Sequence, residues 1–463
     1  MGEAGAMLLV LDDDPTGSQT VAGVPLLLRF DDADVAWALD DGGDVVFALT
    51  NSRALPERDA VALTRSVTRS VASAALARGR DVRVLSRGDS TLRGHFPAEV
   101  DALVAGLGDV GHDPPDAILL CPAYPEAGRV TIDGVHLLRD GDGRLVPVAE
   151  TEFARDPVFA YGESDLREWA ARRCGISPSE VGHVALGEIR AGGAARVAEL
   201  LRDARGGRVV ALDAETRADL DVLAAGIVAA ERAGRRFVYR TAPSFVAARA
   251  GRAPAPPLHT LPAADVAVRP GGGGLVVVGS HTDLTTRQLD AAVAAHGLTV
   301  VELSVAALVD PGLRAAELIR VAEAAQRALE RGDVALATSR EVVVGGSAAE
   351  SAAVKGRIAA ALVDAVVSIV SACVPRWVVA KGGITSHDVA AAALEAGRAT
   401  VLGQLFPGQV SVWRLEDGPY EGLPYVVFPG NVGGVETLAA ALARLGAGAL
   451  ESHSEVIGEP VDL

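Results

Sequence analysis

The chain has 463 residues, 49% of them hydrophobic and 22% charged, which is too apolar for a disordered chain and long enough to predict two domains. Its 43 basic and 60 acidic residues leave a net charge of −17, which argues against nucleic acid as a partner. No run of 18 apolar residues predicts a membrane helix, no basic flank marks a signal peptide, and three scattered cysteines (Cys121, Cys174, Cys373) fit neither a disulfide framework nor a zinc site; a reducing cytoplasm is the expected location.

The first apolar run, MLLVL (Met7–Leu11), reads as a buried strand that runs straight into DDDPTG (Asp12–Gly17). The pattern then repeats. VVFAL (Val45–Leu49) leads into TNSRALP (Thr50–Pro56), VRVLS (Val82–Ser86) into SRGDSTLRGH (Ser86–His95), and AILLC (Ala117–Cys121) into PAYPEAGRVTIDGVH (Pro122–His136). Between them, Glu57–Gly79 has the 3.6-residue period of an amphipathic helix. Apolar strands alternating with helices predict an α/β fold with a mostly parallel sheet flanked by helices, and such sheets bind ligands beyond the carboxyl ends of their strands.

Any one of these four loops could be a solvated turn, because Asp, Pro, Gly and Ser are turn formers. Four of them at equivalent positions predict a cleft with acids for hydroxyl groups and arginines for a carboxylate. A small polyhydroxylated acid suits that mixture, since the guanidinium fork binds carboxylates in bidentate fashion. Arg53, Arg87 and Arg93 are the candidate grips for the carboxylate. Asp14 or Asp89 is the candidate general base, with the choice between them open. His95 and His136 read as structural.

Proline and glycine crowd the stretch Arg252–Gly274, which reads as a linker between residues 1–251 and 275–463. Beyond it, LVVVG (Leu275–Gly279), TVVEL (Thr299–Leu303), VALAT (Val334–Thr338), WVVA (Trp377–Ala380) and YVVF (Tyr425–Phe428) restart the α/β pattern, with a helix over Arg314–Gly332. Three turns follow strands here: GSHTDL with Ser280 and Thr282, KGGITS with Lys381 to Thr385, and PGNVGG with Gly430. Glycines let a phosphate approach the backbone, and Ser386 as N-cap with Asp388 in the first turn would aim free N–H groups at it. Lys381 is one of two lysines in the chain.

Neither the phosphate-loop motif of NTPases nor a dinucleotide fingerprint is present, which counts against a dehydrogenase. A kinase is the economical reading. ATP would sit on the second domain, the acceptor on the first, domain closure would bring them together, and Mg2+ would bridge the phosphates.

Taken together, DDDPTG, TNSRAL, SRGDSTLRGH, PAYPEAGRVTIDGVH, GSHTDLTTRQL, KGGITS and PGNVGG resemble the four-carbon acid sugar kinase family, in order and over nearly the whole chain. The resemblance implies an N-terminal acid-sugar-binding domain, a C-terminal nucleotide-binding domain, and ATP-dependent phosphorylation of threonate, erythronate or their 3-oxo relatives. Carried over by position, it matches the family's substrate-site motifs to Asp13, Asp14, Thr16 and Gly17 and to Asp89, Ser90, Thr91, Leu92, Arg93 and Gly94; Arg129 joins Asp13, Thr16, Ser90 and the three arginines above as a substrate-binding candidate, although many members have lysines and an asparagine where this chain has Arg87, Gly88 and His95. The resemblance places the nucleotide on Ser280, Gly382, Gly383, Ile384, Thr385 and Gly430, and Lys381 beside the glycine pair is a further candidate to hold phosphates. Many members have glutamate where this chain has Ile384. The alternatives are a non-catalytic sensor of a sugar acid and a nucleotide, or another sugar-acid enzyme such as a dehydrogenase. The sequence is compatible with a homo-oligomer.

Overall fold

The computed structural model describes residues 6–40, 43–253, 256–261, 272–280, 282–340, 348–430 and 432–454. Most of the expected linker, residues 254–255 and 262–271, lies outside the described residues. The chain divides into two compact units, Met1–Ala255 and Pro256–Leu463.

The strands of the first unit are β1 (Met7–Asp12), β2 (Val24–Leu27), β3 (Val45–Leu49), β4 (Val82–Arg87), β5 (Ala117–Cys121), β6 (Arg129–Ile132), β7 (Val135–Arg139), β8 (Leu145–Pro147), β9 (Gly182–Val184), β10 (Arg208–Leu212) and β11 (Phe237–Thr241). Eight of them form one sheet in the order β2-β3-β1-β4-β11-β5-β10-β9, and every neighbouring pair is parallel. Helices on its faces explain why β1, β3 and β5 are buried along their whole length and carry unbroken Val/Leu-rich runs. Helix Glu57–Ala77 turns Ala60, Thr64, Val67, Val71 and Ala75 inward at helical spacing, onto a core where Phe96 stacks on Trp169 at 5.0 Å. Strands β6, β7 and β8 make a separate small antiparallel sheet.

The second unit has β12 (Leu275–Val278), β13 (Thr299–Leu303), β14 (Val334–Thr338), β15 (Val378–Lys381), β16 (Arg398–Phe406), β17 (Gln409–Leu415) and β18 (Pro424–Phe428), in the order β13-β14-β12-β15-β18-β17-β16. The first five in that order are parallel neighbours, and β18-β17-β16 pair antiparallel. The β16–β17 hairpin was not among the strands read from the sequence. Among the described residues no helix is long and apolar enough to cross a membrane.

Candidate functional site

Parallel register sets the first site. Asp12, the last residue of β1, stands beside Leu49 of β3 and Arg87 of β4, and Arg87 stands beside Thr241 of β11. Four strands end level with one another, so the loops that leave them meet. Backbone bonds lock the meeting: Thr50 N–H donates to the Asp12 carbonyl (2.9 Å), Arg53 N–H to that of Asp13 (3.2 Å), and Gly88 N–H to that of Thr241 (2.8 Å).

The carboxylates of Asp12, Asp13, Asp14, Asp89 and Glu99 share the guanidinium groups of Arg53, Arg87, Arg93 and Arg240. Arg53 joins the two base candidates, pairing closely with Asp14 and reaching Asp89 at 3.5 Å. Asp14 also caps the short helical turn Pro15–Thr20, accepting from Thr16 N–H at 2.8 Å and from the Thr16 hydroxyl. Asp89 accepts from Arg93 Nε at 2.6 Å and from the Thr91 hydroxyl. Burial alone would raise both carboxyls. For Asp14 the charges of Arg53 and Arg87 and the bonds from Thr16 outweigh it, and Asp14 is held below the usual range. Arg53 and Arg93 do the same for Asp89, more strongly. Both are therefore ionised at neutral pH. The two aspartates deeper in the cluster behave oppositely: burial pushes Asp12 up to about 7 against the pull of Arg87, and it raises Asp13 as well.

The arginines differ in what they have left to offer. Arg87 is buried, with its Nη1 given to Asp12 (2.7 Å), Asp13 (3.4 Å) and the Asp14 carbonyl (3.3 Å), so it braces the acids rather than reaching outward. Arg53 and Arg93 are part exposed but each holds aspartates, and Arg93 also lies over the Phe153 ring at 5.1 Å. Arg129, at the start of β6, donates Nη1 to the Ala127 carbonyl at 2.5 Å, its Nε is enclosed without an acceptor, and no carboxylate among the described residues pairs with it. Ser90 is buried, and its carbonyl takes a 2.7 Å bond from His136 Nε2. Burial holds His136 down to about 4, so the ring is neutral, and its Nδ1 accepts from Thr131 (2.9 Å); it anchors the loop, as expected of a structural histidine. His95 anchors the same loop through the Leu55 carbonyl at 3.0 Å.

Arg240 is the residue that sequence reasoning missed. Its buried guanidinium donates to Ser86 Oγ (2.9 Å), approaches Asp13 (3.5 Å) and Glu99 (3.7 Å), and fills the space where side chains on Gly88 and Gly94 would stand. Its one local signal was an arginine inside the otherwise apolar-aromatic strand FVYRT.

In the second unit, β12, β15 and β18 run side by side, and the three turns that follow them come together. Thr285 Oγ1 donates toward Ser280 Oγ (3.0 Å) and the Gly430 carbonyl (3.1 Å), and Thr282 Oγ1 joins the same group at 3.0 Å from Thr285 Oγ1. Gln288 holds the late glycine turn through the carbonyls of Val432 (3.0 Å) and Gly434 (2.8 Å). These turns admit no extra carbon: a Cβ on Gly430 would lie 3.0 Å from Ser280 Oγ, and one on Gly279 would fall onto Thr385 Oγ1. Gly382 has φ +118°, a conformation that favours glycine. Glycine backbone beside clustered hydroxyls suits a phosphate chain.

Two expectations change here. Ser386 is not an N-cap. Helix Gly383–Asp388 starts four residues earlier with Gly382 as its cap, Asp388 ends it, and the buried Ser386 hydroxyl donates back to the carbonyls of Ala380 (2.9 Å) and Gly382 (2.8 Å). Lys381 belongs to β15 and is fully buried, with Nζ on the Pro429 carbonyl (3.1 Å) and 4.1 Å from the Phe428 ring centre. Burial brings its pKa down to about 7. Thr385 stands among the hydroxyls, whereas Ile384 is exposed. Asn431 and His281, within two of the turns, lie outside the described residues.

Among the described residues no group of three His, Cys, Asp or Glu side chains could enclose a metal ion.

Residues 8–249 match the model of a sugar-binding N-terminal domain, and residues 275–438 that of a nucleotide-binding C-terminal domain. The chain is 30% identical to a D-threonate kinase of Bordetella bronchiseptica over 454 residues, 94% of this chain and 97% of that one. It is 32% identical to a D-erythronate kinase of Heliobacterium modesticaldum over 286 residues, which span 60% of this chain and 57% of that relative. The crystal structure of Haemophilus influenzae protein HI1011 has the same fold, with a TM-score of 0.63 at 17% identity, covering 94% of this chain and 99% of that one.

Proposed function

The chain belongs to the four-carbon acid sugar kinase family, and from that premise we propose that it transfers the γ-phosphoryl group of ATP to a hydroxyl of a four-carbon sugar acid, a tetronate or a 3-oxo-tetronate. The observation that carries this reading is the convergence of Asp14 and Asp89 on Arg53 at level strand ends of the first unit. Two ionised carboxylates there can order hydroxyls, and one can take the acceptor's proton as its oxygen bonds to phosphorus and the bond to the departing ADP oxygen breaks. A loose phosphoryl-transfer transition state draws that proton off late, so a carboxylate of low pKa suffices.

The acid's carboxylate falls to Arg129, with which no carboxylate among the described residues forms an ion pair, with Arg53 and Arg93 at the same opening and Arg87 behind them. The Ser280, Gly382–Thr385 and Gly430 turns hold the phosphates of ATP, and a magnesium ion brought with the nucleotide would supply positive charge to offset that of the phosphates. Relatives named for threonate and erythronate have similar identity to this chain, so the acid and its stereochemistry are for experiment.

A coupled assay of ADP release across a panel of tetronates and 3-oxo-tetronates tests the reading. At least one acid should raise ADP release at least about tenfold over the rate without acid, against the 10⁶-fold or greater accelerations typical of enzymes. Binding of an acid and of ATP with no release across the whole panel would favour the sensor instead, a reading that the exposed Ile384 keeps in view.

A further inference from the structure

Phosphoryl transfer needs positive charge on the nucleotide phosphates, and the lysine nearest the glycine turns does not supply it in the open. Lys381 is buried to the last atom and its ammonium is engaged by Pro429 and Phe428. The neighbouring strand ends offer another cation. Val278 of β12 pairs with Ala337 of β14, so the residues that follow the two strands emerge side by side. Two residues beyond the end of β12 stands Ser280, and two beyond the end of β14 stands Arg340. Arg340 Nη1 donates to the Ser280 carbonyl at 2.6 Å. This ties the guanidinium to the residue whose hydroxyl meets Thr285 and abuts Gly430.

Among the described residues Arg340 is also incompletely used: its Nη2 is enclosed with no hydrogen-bond partner there, and no carboxylate there forms an ion pair with it. A guanidinium stays charged under any such burial, and an enclosed donor without an acceptor is destabilising. A ligand acceptor at that point would satisfy it. An oxyanion is the ligand that answers both the charge and the missing acceptor, and phosphate oxygens are what the adjoining hydroxyls and glycine backbone accommodate.

We propose that Arg340 binds the phosphate chain of the nucleotide, with the Ser280 carbonyl fixing the guanidinium beside the Ser280, Gly382 and Gly430 turns. The proposal rests on the nucleotide-site reading given above and names the charge in that site. Arginine is suited to it because its planar fork can give one N–H to the tethering carbonyl and still present others to phosphate.

Titration calorimetry on the full chain tests this, with ADP, inorganic triphosphate and adenosine as separate probes, for the wild type and for Arg340→Ala and Arg340→Lys. Arg340→Ala should weaken ADP and triphosphate by about 10- to 100-fold, the worth of hydrogen bonds to a charged group, and leave adenosine unchanged. Arg340→Lys, which keeps the charge and loses the fork, should fall between. ADP binding by Arg340→Ala within about twofold of the wild type overturns the proposal. Equal losses for ADP and adenosine also overturn it, because they would make the residue a support of the turn; a thermal melt at wild-type temperature and unaltered sugar-acid binding guard against a folding defect. Wild-type protein that binds neither ADP nor ATP would bring down the nucleotide-site reading itself, whereas wild-type turnover with an unaffected alanine variant brings down Arg340 alone.

Discussion

At the scale of single residues, the site separates aspartates that the sequence presents as three equals. Asp14 and Asp89 are ionised and reach the opening, while Asp12 and Asp13 are sealed behind Arg87 and Arg240. Asp14→Asn and Asp89→Asn keep shape and remove charge, so whichever serves as base should lower kcat by about 10²–10⁴-fold with little change in KM for ATP. Near-normal turnover in both variants would refute the assignment. Asp12 makes a separate prediction. Its folded pKa, near 7, lies above the ordinary 3.8, so between those values the folded chain binds more protons than the unfolded one. The stability Asp12 contributes is therefore fully present below about pH 4 and lost as pH rises through about 7. Asp12→Asn should flatten that part of the profile, measured as denaturation midpoints at intervals from pH 4 to 8; an unchanged slope would count against the assignment.

At the scale of elements, the loop after β4 is built around a side chain from β11. Gly88 and Gly94 leave room for the Arg240 guanidinium, which also approaches the Arg93 carbonyl at 3.4 Å, so this strand shapes the loop that carries Asp89 and Arg93. Gly88→Ala would set a methyl group on the guanidinium. The expected cost is about 1–3 kcal/mol of overpacking, seen as a lower urea midpoint, together with a raised KM for the sugar acid and an unchanged affinity for ADP. A stable variant with normal acid KM would show that the loop does not depend on that fit.

At the scale of the whole molecule, two units carry two chemistries. The acidic net charge sits uneasily with anionic ligands, and in the proposed function each unit would answer it locally, the first with a nest of arginines and the second with hydroxyls, glycine backbone and Arg340. Ligands that bind only one folded unit should slow opening of that unit. Hydrogen exchange on the full chain should then show the sugar acid protecting amides around residues 12–17, 50–56 and 86–95, and ADP protecting those around 279–285, 381–386 and 428–434. Protection by ADP confined to the first set would reverse the assignment of the two sites.

The sequence alone was enough to find the strand ends and the polar loops beyond them, because an unbroken Val/Leu run marks a doubly covered strand and its end marks where side chains can meet a ligand. DDDPTG, TNSRALP and SRGDSTLRGH were legible for that local reason, as were the turns at Ser280, Gly382 and Gly430. Tertiary structure alone decided which side chains share a partner and which lose their water. Arg240 reaches Ser86 across 154 residues through strand order, Arg53 couples Asp14 to Asp89, and Lys381 ends a strand with its charge enclosed while Arg340 emerges beside Ser280. Register and burial arise from contacts distant in sequence, and desolvation together with neighbouring charge then sets which of several identical side chains is held ionised and which is not.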